Sequence, residues 1–395
     1  MQALDQDQGA RNRNRVIAEI LRNPGLSRTD IGNAVGLNAA SVSRITRDLI
    51  DARLARETDP FAPEGRRGRR FVGLELNGEG GYVIGIGLNA FRQSVTLADL
   101  ENRKIAEWVS PETPGEDGAA FLQTCLDHAK AMLRTHAVDH DRFFGVGIAV
   151  AAELDSDRTH ILQAPIFGWA EPIAIRDMVR DVLGAPLAID APASAINKAE
   201  ADFGIGKGAA NLTTLHCSLG FGIGVRQVDP ESGVLREFGR VLTETAAPDG
   251  SGRTLSLACG GLSFLAETRP GSNIADISAA DLSAMLVEDI GKADRDATIQ
   301  SRLFDCGARA AEYFSITLEL CQPECLLLTG PMAGSPDYLR GFKKALQRVL
   351  GHTGAVPEVL SSDMTPTGAS RWLALRENVA AGSLNLAHLK QETAA

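Results

Sequence analysis

Ser41, Ser43, Arg44 and Arg47 cluster within the stretch Ser27 to Leu54, SRTDIGNAVGLNAASVSRITRDLIDARL. They are residue types that contact DNA: arginine pairs with guanine edges, and hydroxyls reach phosphates or bases. Asn38 stands just ahead of them, and Arg66, Arg67, Arg69 and Arg70 follow in the segment EGRRGRR. Arginines interleaved with glycine suit a narrow minor groove, because glycine lets the backbone approach and the groove's negative potential draws the guanidinium.

Groove contacts need a scaffold, and the spacing of apolar residues predicts one. Ser27 can cap a short helix, with Asp30 three residues on completing a capping-box-like pair. Ile31, Ala34 and Val35 would form its inner face, Gly36 the turn, and Leu37 a plug between helices. Asn38 then caps a second helix whose inner positions are Val42, Ile45 and Leu49, leaving the serines and arginines on the other side. A helical hairpin with a merely solvated polar face has the same spacing. The continuation LARETDPFAPEGRRGRRFVGLELN adds a short apolar start, a Pro/Gly loop with the four arginines, and a strand alternating Val72, Leu74 and Leu76. That is the pattern of a winged helix-turn-helix, expected over residues 10–77.

Charge is partitioned in the same sense. Residues 1–77 hold thirteen arginines, no lysine and ten acids, a net of 13 − 10 = +3, so the rest carries −10 − 3 = −13. Overall acidity therefore does not exclude a nucleic-acid partner. No apolar run approaches the roughly 20 residues that span a bilayer, and MQALDQDQGARNRNR lacks a signal-peptide core, so a soluble, cytoplasmic protein without a membrane partner is expected. The six cysteines show no paired framework and should be buried thiols. Cys321 and Cys325 have a helical metal-pair spacing, but no histidine joins them, and His136 and His140 fall in a surface loop.

From Gly80 the chain alternates strands and helices, which predicts an α/β core. Strands are expected at 82–97 as a hairpin, 143–150, 186–189, 211–218, 225–228 and 325–329, with a loop LGFGIG at 219–224. Helices are expected near 119–134, 172–183, 193–203 and 301–321. Two similar lobes with a cleft between them would follow.

The order GYVIGIG, GVGIAV, QAPIFGW, AEADFGIGKG, LGFGIG, REFGR and LLLTGPM after a winged helix-turn-helix resembles regulators of the ROK family, named for repressors, open reading frames and sugar kinases. The resemblance covers about residues 10–380. It implies a two-lobed actin-like ATPase fold over 78–380, with lobes at about 78–190 and 191–358 and a C-terminal helix at 365–378 returning to the first lobe. It also implies a sugar and nucleotide cleft, and oligomerisation through the large domain.

This sequence departs from the family at the residues that do chemistry. Gly87, Asn89, Ala90 and Phe91 stand where kinase members have the Asp, glycine pair and threonine that hold phosphates and magnesium, so no metal-binding carboxylate remains. Asp190 to Ser194 match the segment that supplies the sugar base, and Pro192 occupies the base position. Ile166 replaces a sugar-binding asparagine and Ser263 a glutamate. The zinc histidine of the family matches Arg240, in Glu237-Phe238-Gly239-Arg240, and its cysteines match Thr254, Ser256 and Gly261, with Cys259 off register. Arg240 could instead pair with Glu237 or Glu244. GIGKG at 204–208 is no Walker loop, because no Ser/Thr follows the lysine.

The expectation is therefore a sequence-specific DNA-binding transcriptional regulator, a homo-dimer or tetramer, acting as a repressor on a double-stranded operator. No catalytic residue, metal or cofactor is expected. A small-molecule effector, carbohydrate-related or other, would meet Asp190, Glu237 and Arg240. The alternatives are an effector-independent DNA-binding dimer and an active ROK sugar kinase.

Overall fold

The computed structural model describes residues 2–59, 71–229, 231–352 and 356–394. An opening helix α1 (Gln2–Arg22) leads into β1 (Leu26–Ser27), α2 (Arg28–Val35), α3 (Ala39–Asp51), β2 (Ala55–Glu57) and β3 (Gly73–Leu76). β3 pairs antiparallel with both β1 and β2, making a small three-stranded sheet. Helix α1 was not anticipated from the sequence; it contributes Val16, Ile17 and Ile20 to the core formed by Ile31, Val42, Leu49 and Leu74. It carries Arg11, Arg13, Arg15 and Arg22 among few apolar residues, so its inward stripe is short and easily missed.

The first lobe holds β4 (Tyr82–Leu88), β5 (Gln93–Asp99), β6 (Lys104–Val109), α4 (Gly118–Thr135), β7 (Phe143–Val150), the two-stranded β8 (Glu153–Leu154) and β9 (Ile161–Gln163), α5 (Ile175–Leu183) and β10 (Leu187–Asp190). Its sheet runs β10-β7-β4-β5-β6, with β7 and β10 parallel to β4 and an antiparallel meander on the other side. The hairpin expected at 82–97 has this third strand, and α5 starts later than position 172 because Ile173 bridges to Ile161.

Helix α6 (Pro192–Phe203) leads to the second lobe: β11 (Leu212–Cys217), β12 (Phe221–Val228), β13 (Leu235–Val241), α7 (Leu255–Cys259), α8 (Gly261–Thr268), α9 (Ala279–Ile290), α10 (Ala297–Cys321), β14 (Cys325–Thr329), α11 (Pro336–Leu350) and β15 (Glu358–Ser362). The order β13-β12-β11-β14-β15 repeats the plan of the first sheet. β12 begins at Phe221, so most of the glycine-rich stretch expected to be a loop at 219–224 is strand. Its glycine serves packing: a Cβ on Gly224 would lie 2.4 Å from the Ala193 carbonyl, so glycine lets α6 settle on the sheet.

Helix α12 (Pro366–Ala374) continues as a π-helical turn, Leu375–Ala380, and α13 (Leu386–Ala394) follows. Ala195, Ile196 and Ala199 of α6 pack with Ala369 and Leu373 of α12, the three alanines letting the two helices meet between the lobes. The expected helix at 365–378 is thus α12 plus the π turn, and the chain continues past residue 380. Leu386 and Leu389 of α13 join the core of the winged domain, where α13 lies beside α3.

Candidate functional site

The helix-turn-helix is held by local hydrogen bonds whose donors and acceptors the sequence dictates. Ser27 Oγ accepts from the Asp30 amide at 3.2 Å and donates to Asp30 Oδ2 at 2.6 Å, a reciprocal cap. Gly36 adopts φ 64, and Asn38 Oδ1 accepts from the Ser41 amide at 2.9 Å. Ala34, expected inside, is exposed; Gly32 faces inward instead, close to Leu37 and Val42. Thr46 is buried as well, and its hydroxyl accepts from Arg28 Nε at 3.0 Å.

On the outer side of α3, Arg44 is 68% exposed and faces Asp48 only at 3.9 Å. Arg47 and Asn38 are exposed, and Ser41 and Ser43 half-buried. β2 and β3 form the base of a wing, but Arg66, Arg67, Arg69 and Arg70 lie outside the described residues. A flank unforeseen in the sequence comes from α13: Lys390 Nζ sits 2.6 Å from Asp48 and 3.6 Å from Asp51. It offsets the two acids of α3 that would repel phosphates and leaves both arginines outward.

In the cleft, the positions that the family resemblance matches to phosphoryl-transfer residues are filled by packing. A Cβ on Gly87 would lie 2.2 Å from Thr367 Oγ1 and 2.7 Å from the Thr367 Cα, so no carboxylate fits there while α12 is seated. Asn89 Oδ1 accepts from the amides of Phe91 (2.8 Å) and Arg92 (3.1 Å), which satisfies the loop donors internally. Phe221, in the glycine-rich stretch, is buried edge-on against Phe314 at 5.0 Å. Pro192 opens α6 and, with Ile166, borders a narrow cavity.

The three candidate effector residues separate. Asp190 and Arg240 both line a cavity of about 270 Å³ with Arg158 and Asp155. Asp190 is itself occupied: Arg158 Nη1 lies at 2.5 Å, Lys198 Nζ at 2.9 Å and Ser194 Oγ at 2.8 Å. Burial pushes its carboxyl up, but the cations of Lys198 and Arg158 outweigh that and hold it below the ordinary carboxylate value. Arg240 is exposed to the cleft and forms no ion pair among the described residues, so the pairing considered with Glu237 or Glu244 is not made. Glu237 does not line the cleft cavities; it points to Arg226 (2.9 Å) and Arg376 (2.6 Å), a correction to the effector set. Ser263 also leaves the cleft wall, donating to the Ala258 carbonyl and accepting from Arg309.

Glu237 belongs to a buried ionic junction. Asp202, at the end of α6 and 2% exposed, meets Arg22 (3.2 Å), Arg226 (3.3 Å) and Arg376 (3.2 Å). Arg22 ends α1 of the winged domain, Arg226 and Glu237 lie on the second lobe, and Arg376 lies on the π turn after α12. Lys207 of the GIGKG segment adds hydrogen bonds to the Arg22 carbonyl (2.6 Å) and Asn23 Oδ1 (2.7 Å), so that segment anchors the winged domain.

The positions that the resemblance matches to zinc ligands are engaged in structure: Thr254 caps α7, Ser256 Oγ donates to the Thr243 carbonyl, and Cys259 is buried. Among the described residues no group of three or more His, Cys, Asp or Glu is arranged for a metal ion. Elemental analysis of untagged protein should find far less than one zinc per chain; a full equivalent whose chelation unfolds the protein would contradict this assignment.

A profile described as the ROK family matches residues 82–372, and one for winged helix-turn-helix DNA-binding matches residues 10–54. The chain belongs to the ROK family. It is 29% identical over 210 residues to the xylose repressor of Caldicellulosiruptor bescii, covering 53% of this chain and 52% of that one. Over 200 residues it is 24% identical to the DNA-binding transcriptional repressor Mlc of Escherichia coli, covering 51% and 49%. The chain thus spans about half the length of the curated relatives it matches. Among solved structures, a ROK family transcriptional regulator homologous to Mlc superimposes with TM-score 0.71 at 20% identity, covering 97% of this chain and 99% of that one. A ROK glucokinase from Streptomyces griseus with glucose and AMPPNP gives 0.57 at 18%, covering 75% and 98%. Both share the fold. In this ROK protein the residues that sequence patterning missed carry no local signal: Arg22, Asp202 and Arg376 meet from distant segments, and Lys390 meets Asp48 and Asp51 of α3.

Proposed function

We propose that this ROK family protein is a DNA-binding transcriptional regulator of the repressor type, which senses a ligand in its cleft without phosphorylating it. The observation that carries the reading is the pairing of an outward Arg44 and Arg47 on α3 with a cleft whose Gly87 and Pro192 positions hold no carboxylate. The printed names of its relatives, a xylose repressor and Mlc, support it. The junction supplies the coupling: β13 presents Arg240 to the cleft and Glu237 to Arg226 and Arg376, so closure that moves β13 changes what holds Arg22 and α1. Self-association through the large domain would place two such helices on one operator. Ile316 and Leu320, adjacent on one face of α10 and 68% and 79% exposed, are candidates for that contact.

Selection from random duplexes by the full chain tests the reading, and an enriched operator is expected. In parallel, no phosphate should pass from MgATP to any hexose above background, and common hexoses should raise the melting temperature little, because few unpaired polar groups line the sugar end. Magnesium-dependent turnover abolished by a cleft variant, with no enriched duplex, would replace the reading by that of a kinase.

A further inference from the structure

The largest unassigned feature of the cleft is a cavity of about 340 Å³ beyond the Asp190 site. It lies between the β4–β5 turn, the turn after β14 and the connection from β15 into α12. Much of its wall is carbon, from Phe91, Pro331, Met364 and Pro366. Its volume is at the small end of ordinary ligand pockets, enough for on the order of one or two rings.

Three observations define what fits. The amides of Phe91 and Arg92, which could otherwise cradle an anion, are already donated to Asn89 Oδ1. Of the charged groups at the wall, Arg92 is drawn to Glu107 at 3.0 Å, and Asp363 is an acid. A triphosphate therefore finds a single cation at the wall, already paired with Glu107, and one repulsive carboxylate. The third is His216 on β11, which borders this cavity and the narrow one under Pro192. Its Nδ1 is buried without a hydrogen-bond partner among the described residues. Burial pushes the imidazole down to about 4, so the ring is neutral near pH 7.

We infer that this cavity binds a small, uncharged, largely apolar ring compound bearing one hydrogen-bonding group, which pairs with His216. Its role as effector site rests on the regulatory reading above; binding itself does not. The position suits a regulatory ligand, because Thr329 Oγ1 of the second lobe donates to the Met364 carbonyl at 3.3 Å beside the cavity. α12 starts two residues later and runs on to Arg376 of the junction. A bound ring would press on the helix that holds Arg22 through Asp202.

The 395-residue chain titrated with 1-naphthylamine, an uncharged fluorescent two-ring aromatic amine, should show saturable binding of one dye per chain that millimolar MgATP does not displace. Gly334→Trp should weaken it at least tenfold with an unchanged melting curve: Gly334 lines the cavity in an exposed turn, where an added Cβ meets only the Pro331 carbonyl at 3.4 Å. By displacement of the dye, His216→Phe should lose affinity for 2-naphthol several-fold while naphthalene binds as before, a contrast that a structural role would not produce. No saturable binding, equal binding by Gly334→Trp, equal loss of both naphthalenes, or displacement by MgATP would each overturn the inference. No DNA enters the assay, so such a failure leaves the operator reading to its own test.

Discussion

Alanine in place of Arg44 or Arg47 is expected to weaken operator binding by about 1–3 kcal/mol each, and to relax preference at one base pair per half-site. Both side chains leave the outer face of α3, and among the described residues neither is held beyond the Arg44–Asp48 approach. The Arg44–Asp48 approach at 3.9 Å between exposed groups contributes at most a few tenths of a kcal/mol. Arginine in the major groove reads the O6 and N7 of guanine with two parallel bonds, so truncation removes specificity along with charge. Replacing Arg69 and Arg70 together should instead weaken operator and scrambled duplex alike and flatten the salt dependence, since fewer counterions are released. Titrations of both variants on both duplexes separate the two kinds of contact. Equal affinity of all variants would mean that α3 does not dock in a groove.

The second large effect is expected at the ionic junction. Asp202→Ala removes the carboxylate that Arg22, Arg226 and Arg376 share; Arg226 and Arg376 keep Glu237, Arg376 also nears Glu377 at 3.7 Å, and Arg22 keeps no carboxylate partner among the described residues. Removing one partner of a buried ion pair costs about 3–5 kcal/mol, because the charges left behind stay desolvated. Arg226 Nε and Arg376 Nη1 already lack partners, so little slack exists to absorb the loss. Arg22→Ala should behave differently. Arg22 is 35% exposed, so its loss should change stability by about 1 kcal/mol or less, while untying α1 from the second lobe and altering operator affinity. Urea midpoints and operator binding, measured on both variants, check this. If Asp202→Ala unfolds at the wild-type midpoint, the junction is not a buried ionic lock.

Much of the fold was legible because local chemistry set it. Ser27, Gly36 and Asn38 marked the helix-turn-helix through capping and a left-handed turn, and unbroken apolar runs such as Phe143–Val150 and Cys325–Thr329 marked buried parallel strands. Glycines misled at 219–224: a glycine run looks like a loop, but here it lies largely in β12 and gives α6 room to approach, a tertiary demand. The candidate site was legible in part. That Gly87 and Pro192 stand at kinase positions is an expectation from the family resemblance, and Glu237 was misplaced because its direction depends on Arg376, 139 residues away in the chain. Lys390 was missed for the same reason, its partners lying on α3.

The measurement that bears most directly on the central claim is the affinity of the intact protein for its selected operator and for a scrambled duplex, across a salt series. Binding to the operator should be at least about a thousandfold tighter at physiological salt, and both affinities should fall steeply as salt rises, from released counterions. Equal, salt-insensitive affinities for the two duplexes would contradict the assignment of α2, α3 and the wing as a DNA-reading domain.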